Sequence, residues 1–299
     1  MNSNTKRRWF IFLMLVIPVS HLLVFFVYIN INTIIMCFQK LNFFENKVEF
    51  AGFYNFSEIF KNLKRDPLLG KAVVNSVLFI PVTNGILLPL SIVSAYILYK
   101  KVILHKVFRA IFFFPSILSI VVMTMVFSFM FDSTFGVFND LLKAIGLSEW
   151  QRTWFGDPHT AMPMVFVYCI WTGIGFNVIL LSGAISRVPG EVIEYGQLEG
   201  IGMLKELWQV VIPMIWPTIT TVFVLGSTSA FTIFLQPQLL TGGGPNGSSY
   251  TIALYVLEQV KASQYEYAAA VGVFFSVIGI SVVMMFKAIL ERLGPTVEY

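Results

Sequence analysis

Charge is what this 299-residue chain has least of: 12% of its residues are Asp, Glu, Lys or Arg, against 57% hydrophobic, and its mean hydropathy is +0.77. A soluble domain carries about twice that charged fraction, so the composition excludes a water-soluble core and belongs to a polytopic membrane protein. The deficit is uneven, and Leu207 to Leu257 contains no charged residue. Proton- and ion-coupled transporters commonly mark their route with intramembrane Asp, Glu, Lys or Arg. Here, cysteine and tyrosine aside, His21 is the only ionisable side chain well inside the first four apolar stretches. That weighs against ion coupling and against intramembrane catalysis, and a lone His21 is read as a packed or interfacial residue. Two cysteines, Cys37 and Cys169, are too few for a disulfide framework and are read as packing residues. No catalytic residue and no metal ligand is expected. No GxxxxGK[ST] phosphate cradle occurs; the run TGGGPNG at Thr241 to Gly247 has no lysine and supplies turn angles instead.

Apolar length, by contrast, is abundant. A span needs roughly 20 apolar residues to cross about 30 Å of hydrocarbon. Six stretches qualify: about Trp9 to Ile35, Ala72 to Tyr99, Ala110 to Phe131, Thr160 to Ser186, Ile212 to Leu235 and Tyr267 to Phe286. The first is too long for a signal-peptide core and is kept as an anchor. The expected fold is therefore all-α, one transmembrane domain over residues 1–299 with six spans. Basic residues near span ends set orientation. With the N-terminus inside, 11 basic and 6 acidic residues, Glu298 among them, are cytoplasmic, against 9 and 10 outside. Both termini are thus expected in the cytoplasm. The basic balance reports topology and implies no nucleic acid.

One polar stretch interrupts the apolar pattern on the cytoplasmic side, at about 187–211. Pro189 suits a first helical turn, Glu191 and Glu194 sit near the positive end of the helix dipole, and Gly200 permits a sharp turn. Val192, Tyr195 and Leu198 then share one side of a first helix. Leu204, Leu207, Trp208 and Val211 follow helical spacing on a second. An apolar helix side at the membrane edge needs a cover. A loop lying on lipid headgroups would show Lys and Arg, whereas this one has Glu191, Glu194, Glu199 and Glu206 against Lys205 alone. A protein partner fits better.

The spans carry uncharged polar groups: Asn75, Ser76, Thr83 and Asn84 in the second, Tyr168, Trp171, Thr172 and Asn177 in the fourth, Thr221, Ser227, Thr228 and Thr232 in the fifth. Singly, such groups serve to join helices. Together, Tyr168, Trp171, Asn177, Thr228 and Phe231 offer the aromatic faces, amides and hydroxyls that hold a neutral hydroxylated substrate. The first outer loop is rich in aromatics (Phe43, Phe44, Phe50, Phe53, Tyr54, Phe56) and too apolar for a disordered linker.

Six pieces, in order, carry a resemblance: GFYNF at Gly52 to Phe56, Asn75-Ser76, FFFP at Phe112 to Pro115, SRVPGEVIEYGQLEG at Ser186 to Gly200, IPMIWP at Ile212 to Pro217, and TGGGPNGSSYTIALYVLEQ at Thr241 to Gln259. With these the chain resembles, over nearly its whole length, the sugar-type permeases of binding-protein-dependent ABC importers. It is most like the maltose-system F and glycerol-phosphate-system A subunits. The resemblance implies the type I importer permease fold in a prokaryotic cell membrane. It also implies a second, different permease, an ATPase dimer that binds ATP and Mg in this chain's stead, an extracytoplasmic solute-binding protein and a sugar substrate. The polar insert is similar to the family's EAA loop, which meets the ATPase, with Glu194 and Gly200 at matched positions and Glu191, Leu198 and Pro213 beside them. Tyr195 and Gly196 stand where the family has two alanines, and Val210 and Ile212 where it has isoleucine and leucine. A polyol or glycerol-phosphate permease, an ion-coupled transporter and a membrane sensor are the alternatives.

Overall fold

Prolines and one capping aspartate decide where many of the helices begin and where their ladders open. The computed structural model describes residues 3–42 and 47–295, so Phe43, Phe44 and Glu298 lie outside the described residues. The first helix, α1 (Arg7–Met36), is 30 residues long. At about 1.5 Å per residue it exceeds the hydrocarbon thickness. It is apolar on every side and exposed on every side, from Trp9 through Phe25 to Ile35. That is the state a helix surrounded by lipid adopts.

The segment after α1 is ordered by two paired strands and a helix. Strands β1 (Gln39–Asn42) and β2 (Lys47–Phe50) pair antiparallel, with Leu41 opposite Val48. Helix α2 (Tyr54–Arg65) follows, and its buried Asn55 donates to the carbonyls of Cys37 (2.9 Å) and Gln39 (2.7 Å), joining the helix to the strand pair. The rings of Phe38, Phe53 and Phe56 gather at centroid distances of 5.5–5.8 Å. Burial pushes the Cys37 thiol above its ordinary range, which leaves it an inert packing group.

Helix α3 (Pro67–Tyr99) starts on Asp66, whose Oδ1 accepts the Leu68 N–H at 2.9 Å with Pro67 in the first turn. Halfway along, Thr83–Leu87 form a π-helical turn that closes with Leu88 donating to the Thr83 carbonyl. The cause is Pro89, which lacks an N–H and crowds the Gly85 carbonyl, so the ladder widens just before it. The third apolar stretch holds two helices, α4 (His105–Ile117) and α5 (Ile120–Met130), bent by 107° at Leu118 and Ser119. With 13 and 11 residues, neither alone reaches across about 30 Å. After α6 (Val137–Ala144) comes an unbroken 25-residue helix, α7 (Ala161–Ile185).

The polar insert is helix α8 (Gly190–Leu198), a turn, and helix α9 (Met203–Met214). Helix α9 widens into a π turn at Leu207–Val211, again just before a proline, Pro213. It bends by 79° into α10 (Trp216–Thr232), so the fifth apolar stretch is also a broken pair. Short α11 (Leu235–Thr241), α12 (Ile252–Lys261) and the 29-residue α13 (Tyr265–Leu293) complete the chain.

Contacts group the chain into two units, Met1–Arg65 with Val256–Phe274, and Asp66–Tyr255 with Phe275–Tyr299. In the first, Asn62 donates to the Tyr267 hydroxyl (2.9 Å) and Phe60 meets Phe274 edge-on. In the second, the glycine-rich run docks on the start of α3. Gly242, Gly243, Gly244 and Gly247 all have positive φ. Asn75 holds the loop by donating to the carbonyls of Ser248 and Tyr250, both at 2.9 Å, and Ser76 accepts the Ile252 N–H. These polar residues near the start of the second span are therefore loop anchors.

Candidate functional site

Helices α3, α7 and α10 each carry the same order of layers. One apolar cluster takes Leu88, Ile92 and Tyr96 from α3, Val178 and Leu181 from α7, and Ile219 and Val222 from α10. A second takes Phe79, Tyr168 and Ala230 from the opposite halves of the same helices, with Ile233 just past the end of α10. Between them lies an uncharged polar belt: Thr83 and Asn84, Thr172 and Asn177, Gly226, Ser227 and Ser229. The helices meet closely there. A Cβ on Gly226 would come within 2.9 Å of Asn84 Oδ1, and Asn84 donates to Ser227 Oγ at 2.9 Å. Interhelical hydrogen bonds of this kind replace the water a polar group lacks in hydrocarbon.

The belt encloses a cavity of about 310 Å³ lined by Phe79, Thr83, Leu87, Cys169, Thr172, Gly173, Phe176, Asn177, Leu225, Gly226, Ser229, Ile233 and Gln236. No charged side chain lines it. Phe176 and Leu225 are about half exposed, so the cavity opens on the outside of the chain. Among the five residues expected from sequence to meet substrate, the structure places Asn177 in this wall. Tyr168 lies 1% exposed beneath it, its ring edge-on to Phe127. Trp171 stacks on Phe127. Thr228 is exposed and donates to the Val224 carbonyl, and Phe231 covers Gly279 of α13. Gln236 escaped the sequence reading because the chain breaks at Ile233 and Phe234, returning α11 to the cavity where a straight span was expected to end. Phe176 was passed over as an ordinary apolar span residue; Asn177 next to it is the nearest signal.

The insert turns a different face outward. Tyr195 is 71%, Leu198 84%, Leu204 76% and Trp208 68% exposed, forming an apolar surface over both short helices. Ile193, Leu207 and Val211 point the other way into the first cluster. Glu191 and Glu194 are exposed in α8, and Gly196 is buried. Gly200 has φ +73, and Ile201 donates across it to the Gly196 carbonyl at 3.0 Å. This is a helix end that needs a left-handed residue. Among the described residues, its chain neighbours aside, nothing lies within 4 Å of where a Gly200 Cβ would be, so conformation selects glycine there. Pro213 is half-buried and fixes the π turn. Glu206 behaves unlike the other three glutamates of the insert: it is 2% exposed and paired with Lys100 at the end of α3.

Comparison with known proteins gives this arrangement a setting. A family model described as "Binding-protein-dependent transport system inner membrane component" matches residues 87–295, which include the insert and the α7 and α10 parts of the belt. The chain is 30% identical over 265 residues to the probable ABC transporter permease protein YurN of Bacillus subtilis, covering 87% of this chain and 89% of that one. It is 28% identical to the multiple sugar-binding transport system permease protein MsmF of Streptococcus mutans, over 91% and 92% of the two chains. In fold it superposes on a chain of a bacterial ABC transporter that imports the acidic polysaccharide alginate, with a TM-score of 0.83, 22% identity and 97% of each chain covered.

Proposed function

We propose that this chain, which belongs to the family of binding-protein-dependent transport system inner membrane components, moves a neutral carbohydrate through the belt of α3, α7 and α10. It is a multi-pass membrane protein and the permease component of an ABC importer, not an enzyme. The observation that carries the substrate class is the cavity wall, which offers the Asn177 and Gln236 amides, the phenyl rings of Phe79 and Phe176, and the hydroxyl oxygens of Thr83, Thr172 and Ser229 as acceptors, their protons being given to backbone carbonyls, but no charge. Its volume is at the lower end of small-molecule sites, about 300–1,000 Å³. Relatives named for multiple sugars, diacetylchitobiose and arabinooligosaccharides support that class. A polyol would satisfy the same wall; an anion such as glycerol phosphate would find no cation in it.

The cavity opens on the side of the chain, and a polar recess facing hydrocarbon is costly. A second, different permease closes it in this reading, so that the pathway lies between two subunits. The exposed apolar face of Tyr195, Leu198, Leu204 and Trp208 receives an ATPase subunit, one of two, which binds the ATP and Mg that this chain does not. A solute-binding protein delivers substrate to the opposite side, and both termini are cytoplasmic. A ligand shifts a two-state equilibrium only by its differential affinity for the states. ATP, acting through the docked face, therefore supplies most of the bias between outward- and inward-open forms.

Reconstitution tests this. Proteoliposomes containing this chain, its partner permease and the ATPase should accumulate carbohydrate from the binding protein only when ATP is enclosed. Uptake driven by an ion gradient without ATP would overturn the assignment.

A further inference from the structure

We propose that Lys100 and Glu206 form a permanent ionic rivet that carries movement of the insert into α3 and so to the cavity wall; this rests on the ATPase-docking reading above. Glu206 sits in the first turn of α9, 2% exposed. Lys100 caps the C-terminus of α3, its side chain 19% exposed. The Lys100 ammonium lies 2.6 Å from Glu206 Oε1 and 2.8 Å from Oε2, and the second contact has hydrogen-bond geometry. One turn back, the Tyr96 hydroxyl donates to the Met203 carbonyl at 3.1 Å. Two polar tethers, at 96 and 100 on α3 and at 203 and 206 on α9, thus fix the last turn of one helix to the first turn of the other. Beyond Lys100 the backbone turns left-handed at Lys101, with φ 53, so Lys100 is the last side chain in helical register.

Stability alone does not account for a charge pair at this place. Ala95, Tyr96 and Leu98 already pack with Ile193, Leu207 and Val211 in one apolar cluster, and a buried ion pair is often no better for stability than an apolar pair of the same volume. What the pair adds is direction. Apolar burial is non-directional and lets helices slide, whereas a charged hydrogen bond resists displacement along the contact. Helix α3 runs continuously from Pro67 to Tyr99, through the π-helical turn at Thr83–Leu87, and carries Phe79, Thr83 and Leu87 in the cavity wall. At about 1.5 Å per residue the rivet lies on the order of 25 Å from Thr83 along one continuous helix, and the π-helical turn at Thr83–Leu87 is where its movement reaches the wall. A shift imposed on α8 and α9 therefore moves the wall. Lys100 and Glu206 are positioning residues, because neither lines the cavity.

The test is carbohydrate taken up per ATP hydrolysed, in proteoliposomes holding the complete complex with its binding protein. Glu206→Gln and Lys100→Met should retain the ATPase on co-purification and keep hydrolysing ATP, while uptake per ATP falls about tenfold, within the range of coupling between sites. The exchange Lys100→Glu with Glu206→Lys should recover at least half of the loss. The apolar pair Lys100→Met with Glu206→Leu should match the wild type in thermal stability and stay uncoupled. Undiminished uptake per ATP in Glu206→Gln, or full coupling in the apolar pair, overturns the rivet. So does loss of the ATPase from Glu206→Gln, since the pair would then shape the docking face. A Gly200→Arg chain that still retains the ATPase overturns the docking reading and the rivet with it. If the variants fail to fold, the native complex decides. Carbodiimide should join Lys100 to Glu206 both without nucleotide and with ATP, read by peptide mass mapping, and loss of the product in either state overturns a permanent contact.

Discussion

The insert and the belt are built by opposite rules. On α8 and α9 the apolar side chains Tyr195, Leu198, Leu204 and Trp208 face outward while a carboxylate, Glu206, is buried. Across α3, α7 and α10 the side chains of Thr83, Thr172, Asn177 and Ser229 line a cavity open at the side of the chain, and Val74, Val77, Leu90 and Ile179 face out. The difference is one of solvent. Outward apolar groups are ordinary in hydrocarbon, so the exposure of α1 carries no message, whereas the same exposure on a water-facing loop marks a surface that something must cover. Polar groups have the reverse meaning, since in lipid they must find partners inside.

Reversing the rule on the insert should produce the largest effect. Leu198→Asp combined with Leu204→Asp leaves the apolar clusters untouched, yet ATP-driven uptake should fall at least tenfold, about 1.4 kcal/mol of docking free energy. Normal uptake at normal chain levels would show that the exposed face has no partner. A sharper contrast lies within one helix. Leu207→Ala, at 3% exposure, should destabilise the chain by about 2–5 kcal/mol. Leu204→Ala, at 76%, should stay within about 0.5 kcal/mol. Thermal unfolding in detergent compares the two, and equal shifts would contradict the division into faces. In the belt, Asn177→Leu should weaken substrate interaction about two- to tenfold, the worth of one neutral hydrogen bond. Thr228→Val should change uptake less than twofold, because that hydroxyl is already bonded to the Val224 carbonyl. Concentration dependence of uptake separates them. Smallest is the cap: Asp66→Ala should cost about 1 kcal/mol of stability and leave uptake per ATP intact, seen as a lowered thermal midpoint.

Much of this was legible in one dimension because it depends on local rules. Apolar length gave helices α1, α3, α7 and α13; Gly200 and the spacing of Val192, Tyr195 and Leu198 gave the insert's first helix and its outward side, whereas the four residues expected on one side of the second are split, Leu204 and Trp208 outward and Leu207 and Val211 buried against α3 and α7. Other features depend on contacts distant in sequence. The third and fifth apolar stretches look continuous, yet each is a bent pair, because backbone angles at Ser119 and Ile215 leave the helix without any charged or glycine residue to announce it. Asn75 and Asn177 look alike as polar span residues, but one holds the glycine-rich loop and the other lines the cavity. Glu206 looked like its neighbours Glu191, Glu194 and Glu199 until Lys100, 106 residues away, was found against it.

By itself the sequence determined the medium, the helical class and the helix–turn–helix form of the insert, since hydrophobic length, capping and periodicity act within a few residues of chain. Tertiary structure alone decided which polar groups join helices, which surround an open cavity and which charge is locked inside. Those roles are set by hydrogen-bond partners and burial, and partners separated by a hundred residues leave no local trace.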